Sequence, residues 1–167
     1  MKKIIFTFML SLLSVTAMTA QEQLKKVYDE TIDRTEQINK AISDAKNGGK
    51  YVICQVGGNW CPWCLRFADF ITKDAELAKI VDENFVYIHV NYPRVSKMSE
   101  ETKSVMKRLG NPQRFGFPVF VLLRPDGSVL HIQDSTYLEQ DKGYSKEKVA
   151  GFLNNWTPKA VEGTVQR

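Results

Sequence analysis

The segment Gly57-Gly58-Asn59-Trp60-Cys61-Pro62-Trp63-Cys64 says most about the fold of this 167-residue chain. It follows an apolar run from Tyr51 to Val56, so the order predicts a buried strand, a short turn and a helix that opens at Cys61. At a helix N-terminus, unpaired N–H groups and the macrodipole favour an anion, which should lower the pKa of the Cys61 thiol. With Cys64 one helical turn later, the spacing indicates a pair of thiols that gains and loses a disulfide.

The rest of the chain predicts an α/β fold with a mixed central sheet of about four strands flanked by helices. A strand, a crossover and a second strand in that order predict a parallel pair with a right-handed connection. Later apolar runs on either side of an Arg124-Pro125-Asp126-Gly127 turn predict an antiparallel hairpin. The predicted strands are 51–56, 85–90, 119–123 and 128–132.

Helical spacing of apolar residues predicts the helices around this sheet. The first runs from Gln23 to Lys46, and later ones begin at Cys61, Asp74, Ser99 and Ser145. Residues 134–144 are predicted to be irregular, and Pro158 is predicted to end the last helix. We therefore expect one domain over residues 21–167, with an N-terminal helical extension of about 21–46.

The first twenty residues have the form of a secretory signal peptide. Lys2-Lys3 precede an apolar stretch from Ile4 to Val15 and then small residues ending at Ala20. About a dozen apolar residues are too few to span a bilayer core of about 30 Å. We predict removal of residues 1–20, with cleavage after Ala17 and an uncleaved anchor as alternatives, and no stable membrane insertion.

Charge and cysteine content exclude several classes of protein. Without Lys2 and Lys3 the chain has 21 basic and 19 acidic residues, a net charge of +2, which does not indicate nucleic acid or a membrane surface as partner. Three cysteines are too few for a disulfide scaffold. A single closely spaced pair in an exported protein therefore indicates a working disulfide.

The motif order resembles that of the thioredoxin family, and of its exported bacterial members in particular. The shared features are a strand, Trp60-Cys61-Pro62-Trp63-Cys64 and a helix, followed by Gly116-Phe117-Pro118 before a hairpin and a closing helix. The similarity covers roughly residues 41–156. It implies a thioredoxin-like fold, with Cys61 as the nucleophile and Cys64 as the resolving thiol. It also implies a cis peptide bond before Pro118, which would lie against the sulfurs, and a bacterial periplasmic location.

The same resemblance implies a surface for an extended protein substrate. Phe117 would offer its backbone to that substrate and add apolar surface beside Trp60. Pro62 restricts the backbone between the two cysteines, and Trp63 adds a partly exposed apolar ring. The predicted binding residues are Trp60, Pro62, Trp63, Phe117 and Pro118. No metal and no cofactor other than the Cys61–Cys64 disulfide is expected.

The sequence departs from the thioredoxin pattern at Gln55. Many thioredoxins carry a buried acid six positions before the first cysteine, which helps to deprotonate the resolving thiol. An amide cannot accept a proton at neutral pH. Resolution by Cys64 would then depend on water or on another group.

These features predict an exported thiol–disulfide oxidoreductase that reduces protein disulfides and is supplied by a membrane-bound electron donor. An oxidase or isomerase with the same fold, a redox-inactive peptide-binding module and a structural disulfide are the alternatives. The spacing of His89 and His131 does not support a zinc site. We interpret His89 as a satisfied core histidine and His131 as a surface residue. Cys54 is interpreted as a small hydrophobe, with intermolecular pairing as the alternative.

Overall fold

The computed structural model describes residues 24–163 as a sheet flanked by helices. The predicted signal peptide, residues 1–20, lies outside the described residues. Six α-helices are present in the described part: α1 (Arg34–Gly48), α2 (Pro62–Lys73), α3 (Ala75–Asn84), α4 (Glu100–Arg108), α5 (Lys146–Asn155) and α6 (Pro158–Gly163). The strands are β1 (Tyr51–Gly57), β2 (Phe85–Asn91), β3 (Val119–Leu123), β4 (Val129–Asp134), β5 (Glu139–Gln140) and β6 (Gly143–Tyr144).

The main sheet has the strand order β2-β1-β3-β4. Strand β1 pairs parallel to β2, with Gln55 opposite His89, and antiparallel to β3, which in turn pairs antiparallel to β4. The mixed four-stranded sheet, the parallel pair and the hairpin are as predicted. Every residue of β1 is buried, because helices cover both faces of this central strand.

Two apolar cores lie on opposite faces of the sheet because neighbouring strand residues point to opposite sides. Helices α1 and α4 pack on one face, where they bury Val52, Cys54 and Val56 of β1. Helices α2, α3 and α5 pack on the other face, over Tyr51 and Ile53. Strand β1 therefore lies between the two cores, and the short turn after it leads into α2.

The predicted helix starts are confirmed by their capping contacts. The Asp74 carboxylate accepts from the backbone N–H groups of Glu76 and Leu77. Ser99 and Ser145 cap α4 and α5 in the same manner. Each cap satisfies a backbone donor that has no partner within its own helix.

The prediction of a helix from Gln23 was wrong for residues 24–33. Asp33 caps α1, and residues 24–33 form no helix or strand and bend at residues 30–32. The Asn59 side chain explains the difference, because its Oδ1 accepts from the backbone N–H groups of Val27 and Tyr28 at 3.1 Å each. Its Nδ2 donates to the Tyr28 carbonyl at 2.8 Å. Side-chain bonds from the turn before Cys61 thus replace those that a helix would make.

The carboxyl-terminal part is more regular than predicted. Residues 134–144, predicted to be irregular, contain a 3₁₀ turn (Ser135–Leu138) and the hairpin formed by β5 and β6. Helix α5 ends at Asn155, and Pro158 begins α6 instead of only ending the preceding helix. Proline is suited to this position because the first helical residue needs no N–H partner.

Candidate active site

Cys61 caps helix α2, and its sulfur is the side-chain acceptor at the start of that helix. Its backbone is extended, and Pro62 occupies the first helical position. The backbone N–H of Cys64 donates to Cys61 Sγ at 3.2 Å. A helix N-terminus that directs an N–H group at a sulfur stabilises a thiolate there, which is the physical basis for a lowered thiol pKa.

Cys61 and Cys64 form a disulfide, with their Cα atoms 5.3 Å apart. Cys61 is 5% exposed and Cys64 is completely buried. An incoming thiol or disulfide therefore meets Cys61 first, and Cys64 lies beneath it.

The Phe117–Pro118 peptide bond is cis, as the resemblance implied. The Phe117 carbonyl oxygen lies 3.8 Å from Cys61 Sγ. The Phe117 ring packs edge-on against Trp60, at 5.4 Å between ring centroids. Trp60 is held in turn by its Nε1, which donates to the Tyr92 carbonyl at 2.9 Å. The loop before β3 and the turn before α2 thus come together around the disulfide.

Two further predicted binding residues lie on the outer side of the disulfide. Pro62 is exposed and Trp63 is half-buried. The Trp63 ring packs edge-on against Tyr144 at 5.5 Å, and the Tyr144 hydroxyl donates to the Trp63 carbonyl at 3.1 Å. Hairpin β5–β6, which carries Tyr144, therefore holds Trp63 in place.

Trp60 also lines a cavity of about 510 Å³. Arg94 lies over the Trp60 ring, with its guanidinium carbon 5.8 Å from the ring centroid. Arg34 lines the same cavity and forms an ion pair of 2.6 Å with Glu101. The half-buried Trp60 thus borders a depression that is lined by two arginines, Glu30 and apolar side chains.

Gln55 is completely buried at the centre of a hydrogen-bonded group behind Cys64. Its Nε2 donates to the Tyr28 hydroxyl at 2.7 Å and to the Cys64 carbonyl at 2.8 Å. Its Oε1 accepts from the Tyr87 hydroxyl at 2.6 Å. Burial raises the pKa of both Tyr28 and Tyr87, so these phenols are neutral at physiological pH. The amide links strands β1 and β2, helix α2 and the segment 24–33 that precedes α1.

The predictions for the two histidines were wrong in part. His89 packs between the rings of Tyr28 and Tyr87, with centroids 5.3 and 5.4 Å away, but its buried Nε2 has no hydrogen-bond partner among the described residues. Burial lowers the pKa of His89 to about 4. His131 is half-buried and stacks on Trp156 at 4.1 Å, because α5 ends against β4.

The sequence of this chain matches a known protein family. Residues 16–160 match the family Thioredox_DsbH, described as a protein of unknown function, DUF255. The chain belongs to this family. The disulfide bond reductase DsbH of Chlamydia pneumoniae is 23% identical over 104 residues, which are 62% of this chain and 57% of that protein.

Two solved structures show that this Thioredox_DsbH family member has the thioredoxin fold. One is a disulphide isomerase from Xylella fastidiosa Temecula1, with a TM-score of 0.67 and 21% identity, over 80% of this chain and 98% of that one. The other is a thioredoxin from Thermus thermophilus, with a TM-score of 0.51 and 19% identity, over 73% and 85% of the two chains.

The sequence gives no signal that the hydroxyl groups of Tyr28, Tyr87 and Tyr144 form hydrogen bonds behind or beside the disulfide. Tyr28 falls within the helix predicted from Gln23 to Lys46, and Tyr87 within the predicted strand 85–90. Their hydroxyl groups gain a role only through Gln55, and that of Tyr144 only through the Trp63 carbonyl. A long-range contact of this kind leaves no periodic signal in a single sequence.

Within residues 24–163, no group of three or more His, Cys, Asp or Glu side chains is placed to hold a metal ion. In the same part of the chain, no helix has the length and apolar character needed to cross a membrane.

Proposed function

We propose that this protein is an exported thiol–disulfide oxidoreductase that reduces disulfides in partner proteins. The observation that carries the proposal is the Cys61–Cys64 disulfide at the start of α2, with a backbone N–H donating to Cys61 Sγ. Signal-peptide removal after residue 20 and a single domain over residues 21–167 belong to the same proposal. The Chlamydia pneumoniae relative is a disulfide bond reductase, which supports the direction.

The reaction would proceed by two thiol–disulfide exchanges. The Cys61 thiolate attacks a partner disulfide, forms a mixed disulfide and releases one partner thiolate. The Cys64 thiolate then attacks Cys61 Sγ, the bond between Cys61 and the partner breaks, and the second partner sulfur leaves as a thiolate. The partner gains two electrons and the Cys61–Cys64 pair loses them, so a membrane-bound donor would have to reduce the pair again.

The partner would bind as an extended segment across the surface that surrounds Cys61. The Phe117 backbone beside Cys61 Sγ would pair with that segment, over the cis proline Pro118. The rings of Trp60 and Trp63 both pack against the cluster that contains Cys61 and Cys64, and Pro62 is exposed. A backbone contact and apolar rings suit a range of partner sequences.

Activity of the purified chain without residues 1–20 tests this proposal. We expect it to reduce a model protein disulfide in the presence of a chemical reductant, and Cys61→Ser to abolish that activity. Cys54→Ala, which removes a thiol far from the surface, is the matched control and should retain it. Equal activity of Cys61→Ser and the wild type would instead favour a redox-inactive peptide-binding module.

Two further measurements test the substrate and the direction. Cys64→Ser should trap mixed disulfides between Cys61 and exported proteins, and recovery of none would contradict a protein substrate. The reduction potential of the Cys61–Cys64 pair should be strongly reducing, close to about −270 mV as in thioredoxin. A strongly oxidising value, near about −120 mV, would assign disulfide formation instead.

A further inference from the structure

The environment of Cys64 lacks the acid that many thioredoxins place near their resolving thiol. Gln55 occupies that position, and both of its polar atoms are already bonded within the protein. Its Nε2 contacts the Cys64 carbonyl and not the sulfur. Stabilisation of a buried Cys64 thiolate therefore requires another donor.

Tyr28 places a hydroxyl group beside the Cys64 sulfur. A Cβ atom on Gly57 would lie 2.5 Å from Cys64 Sγ and 2.7 Å from the Tyr28 hydroxyl oxygen. The oxygen and the sulfur are therefore at most 5.2 Å apart, and a side chain at Gly57 would collide with both of them. Tyr28 is 4% exposed and packs with Cys61, Cys64 and Leu65 in one cluster.

The hydroxyl hydrogen of Tyr28 is available for this sulfur. The oxygen accepts from Gln55 Nε2, which leaves its own hydrogen to point elsewhere. Within residues 24–163 of the disulfide form, that hydrogen has no acceptor. A neutral hydroxyl that is fixed by one hydrogen bond and still has a free hydrogen is suited to a second bond, and a thiolate is the stronger acceptor.

The groups facing Tyr28 leave it as a donor and not as a base. Burial raises its pKa, so the phenol keeps its proton throughout the physiological range. From β2, the His89 ring packs against it at 5.3 Å, and the lowered pKa of His89, about 4, keeps that ring neutral at pH 7. From β1 it meets the neutral amide of Gln55, and from α2 the two sulfurs.

We propose that the Tyr28 hydroxyl donates a hydrogen bond to Cys64 Sγ once the disulfide is open and thereby stabilises the thiolate that resolves the mixed disulfide. This inference rests on the proposed function. The Cys64 proton passes to solvent water, and the sulfur lone pair forms the bond to Cys61 Sγ. The bond between Cys61 and the partner breaks at the same time, while Tyr28 keeps its proton.

Removal of this hydroxyl should slow the second exchange and leave the first unchanged. A hydrogen bond to a charged group changes an ionisation constant by about 10- to 100-fold. Part of this loss of Cys64 thiolate is offset, because the thiolate becomes more nucleophilic as the thiol pKa rises, with a Brønsted coefficient of about 0.4–0.5. We therefore expect Tyr28→Phe to slow resolution by roughly 3- to 15-fold at pH 7.

The reduced protein and dithiobis(nitrobenzoate) test this split directly. The first equivalent of released chromophore reports attack by Cys61, and the second reports its displacement by Cys64. Tyr87→Phe is the matched control, because it also removes one hydroxyl bonded to Gln55. We expect Tyr28→Phe to slow the second phase alone and Tyr87→Phe to leave both phases as in the wild type. Equal second phases in all three proteins would overturn the role of Tyr28.

A spectroscopic readout separates this role from a loss of packing. In a Cys61→Ser background, the ¹³Cβ resonance of Cys64 should titrate with a pKa that Tyr28→Phe raises by about 1 to 2 and Tyr87→Phe does not change. If Tyr28→Phe does not fold, the ¹³Cζ resonance of Tyr28 can be followed instead in the protein that carries only Cys61→Ser. Its chemical shift should change at the pH at which Cys64 titrates. A chemical shift that stays constant through that pH would contradict the proposal. Failure of the proposed function would look different, because the first chromophore phase would then be no faster than that of an ordinary thiol.

Discussion

Cys54 and Cys64 are both completely buried, but their surroundings differ in every other respect. Cys54 lies in the middle of β1 among aliphatic residues of α1 and α4. Burial raises its pKa to about 12. Cys64 lies at the amino end of α2, bonded to Cys61, beside a tyrosine hydroxyl and a glutamine amide.

This comparison shows that burial by itself does not decide what a cysteine does. An apolar pocket opposes ionisation of a thiol, because it offers no donor to the thiolate. A helix start offers backbone N–H groups, and at Cys61 one of them points directly at the sulfur. The chain thus keeps one inert sulfur and one reactive pair within a single strand–turn–helix unit.

The largest expected effect is a difference in alkylation between Cys61 and Cys54. In the reduced native protein at pH 7, Cys61 should react with iodoacetamide at least about 300-fold faster, because a thiol with a pKa of about 12 has almost no thiolate at that pH. Mass spectrometry of the cysteine peptides over time measures both rates. The two cysteines should react at similar rates in denaturant, and similar rates in the native protein would remove the distinction.

The next largest effect concerns the protonation of His89, which lies opposite Gln55 in the sheet. The pKa of His89 is about 4 in the folded protein, below the value of about 6.5 for a free histidine. The unfolded chain therefore binds more protons between these values. The free energy of unfolding should fall by up to about 3 kcal/mol as the pH decreases from 6.5 to 4, and should not depend on His89 above pH 6.5.

Urea unfolding at several pH values measures this loss, with His89→Phe as the control. The aromatic replacement keeps a ring between Tyr28 and Tyr87 and removes the titration. Its unfolding free energy should be less sensitive to pH in the same window. Equal pH dependence of the two proteins would show that His89 is accessible to protons in the folded state.

The smallest expected effect concerns the space beside the Cys64 sulfur. Gly57→Ala should lower the free energy of unfolding by about 1–3 kcal/mol, because its methyl group would overlap Cys64 Sγ and the Tyr28 oxygen. Gly151→Ala is the matched control in α5, where nothing lies within 4 Å of the new atom. It should stabilise the protein by about 0.5–1 kcal/mol, since alanine favours a helix. Urea unfolding of the oxidised proteins measures both changes, and a stabilised Gly57→Ala would mean that the surroundings of Cys64 relax freely.

Local patterns were sufficient to predict most elements of this fold. The apolar runs of β1, β2 and β3 and the capping residues Asp74 and Ser99 act within a few positions of themselves. The start of α1 could not be found in this way. Residues 24–33 have helical spacing, but hydrogen bonds from Asn59, about thirty positions away, hold Val27 and Tyr28 outside a helix.

The sequence by itself determined that Cys61 would start a helix with Cys64 one turn later, since the preceding strand, the turn and Pro62 act locally. It also determined the neutral amide at Gln55. Only the tertiary structure decided that the Tyr28 hydroxyl would come beside Cys64, because this position depends on the pairing of Gln55 with groups from separate elements and on the absence of a side chain at Gly57. Contacts between distant segments follow from packing, and packing is fixed only when the whole chain has folded.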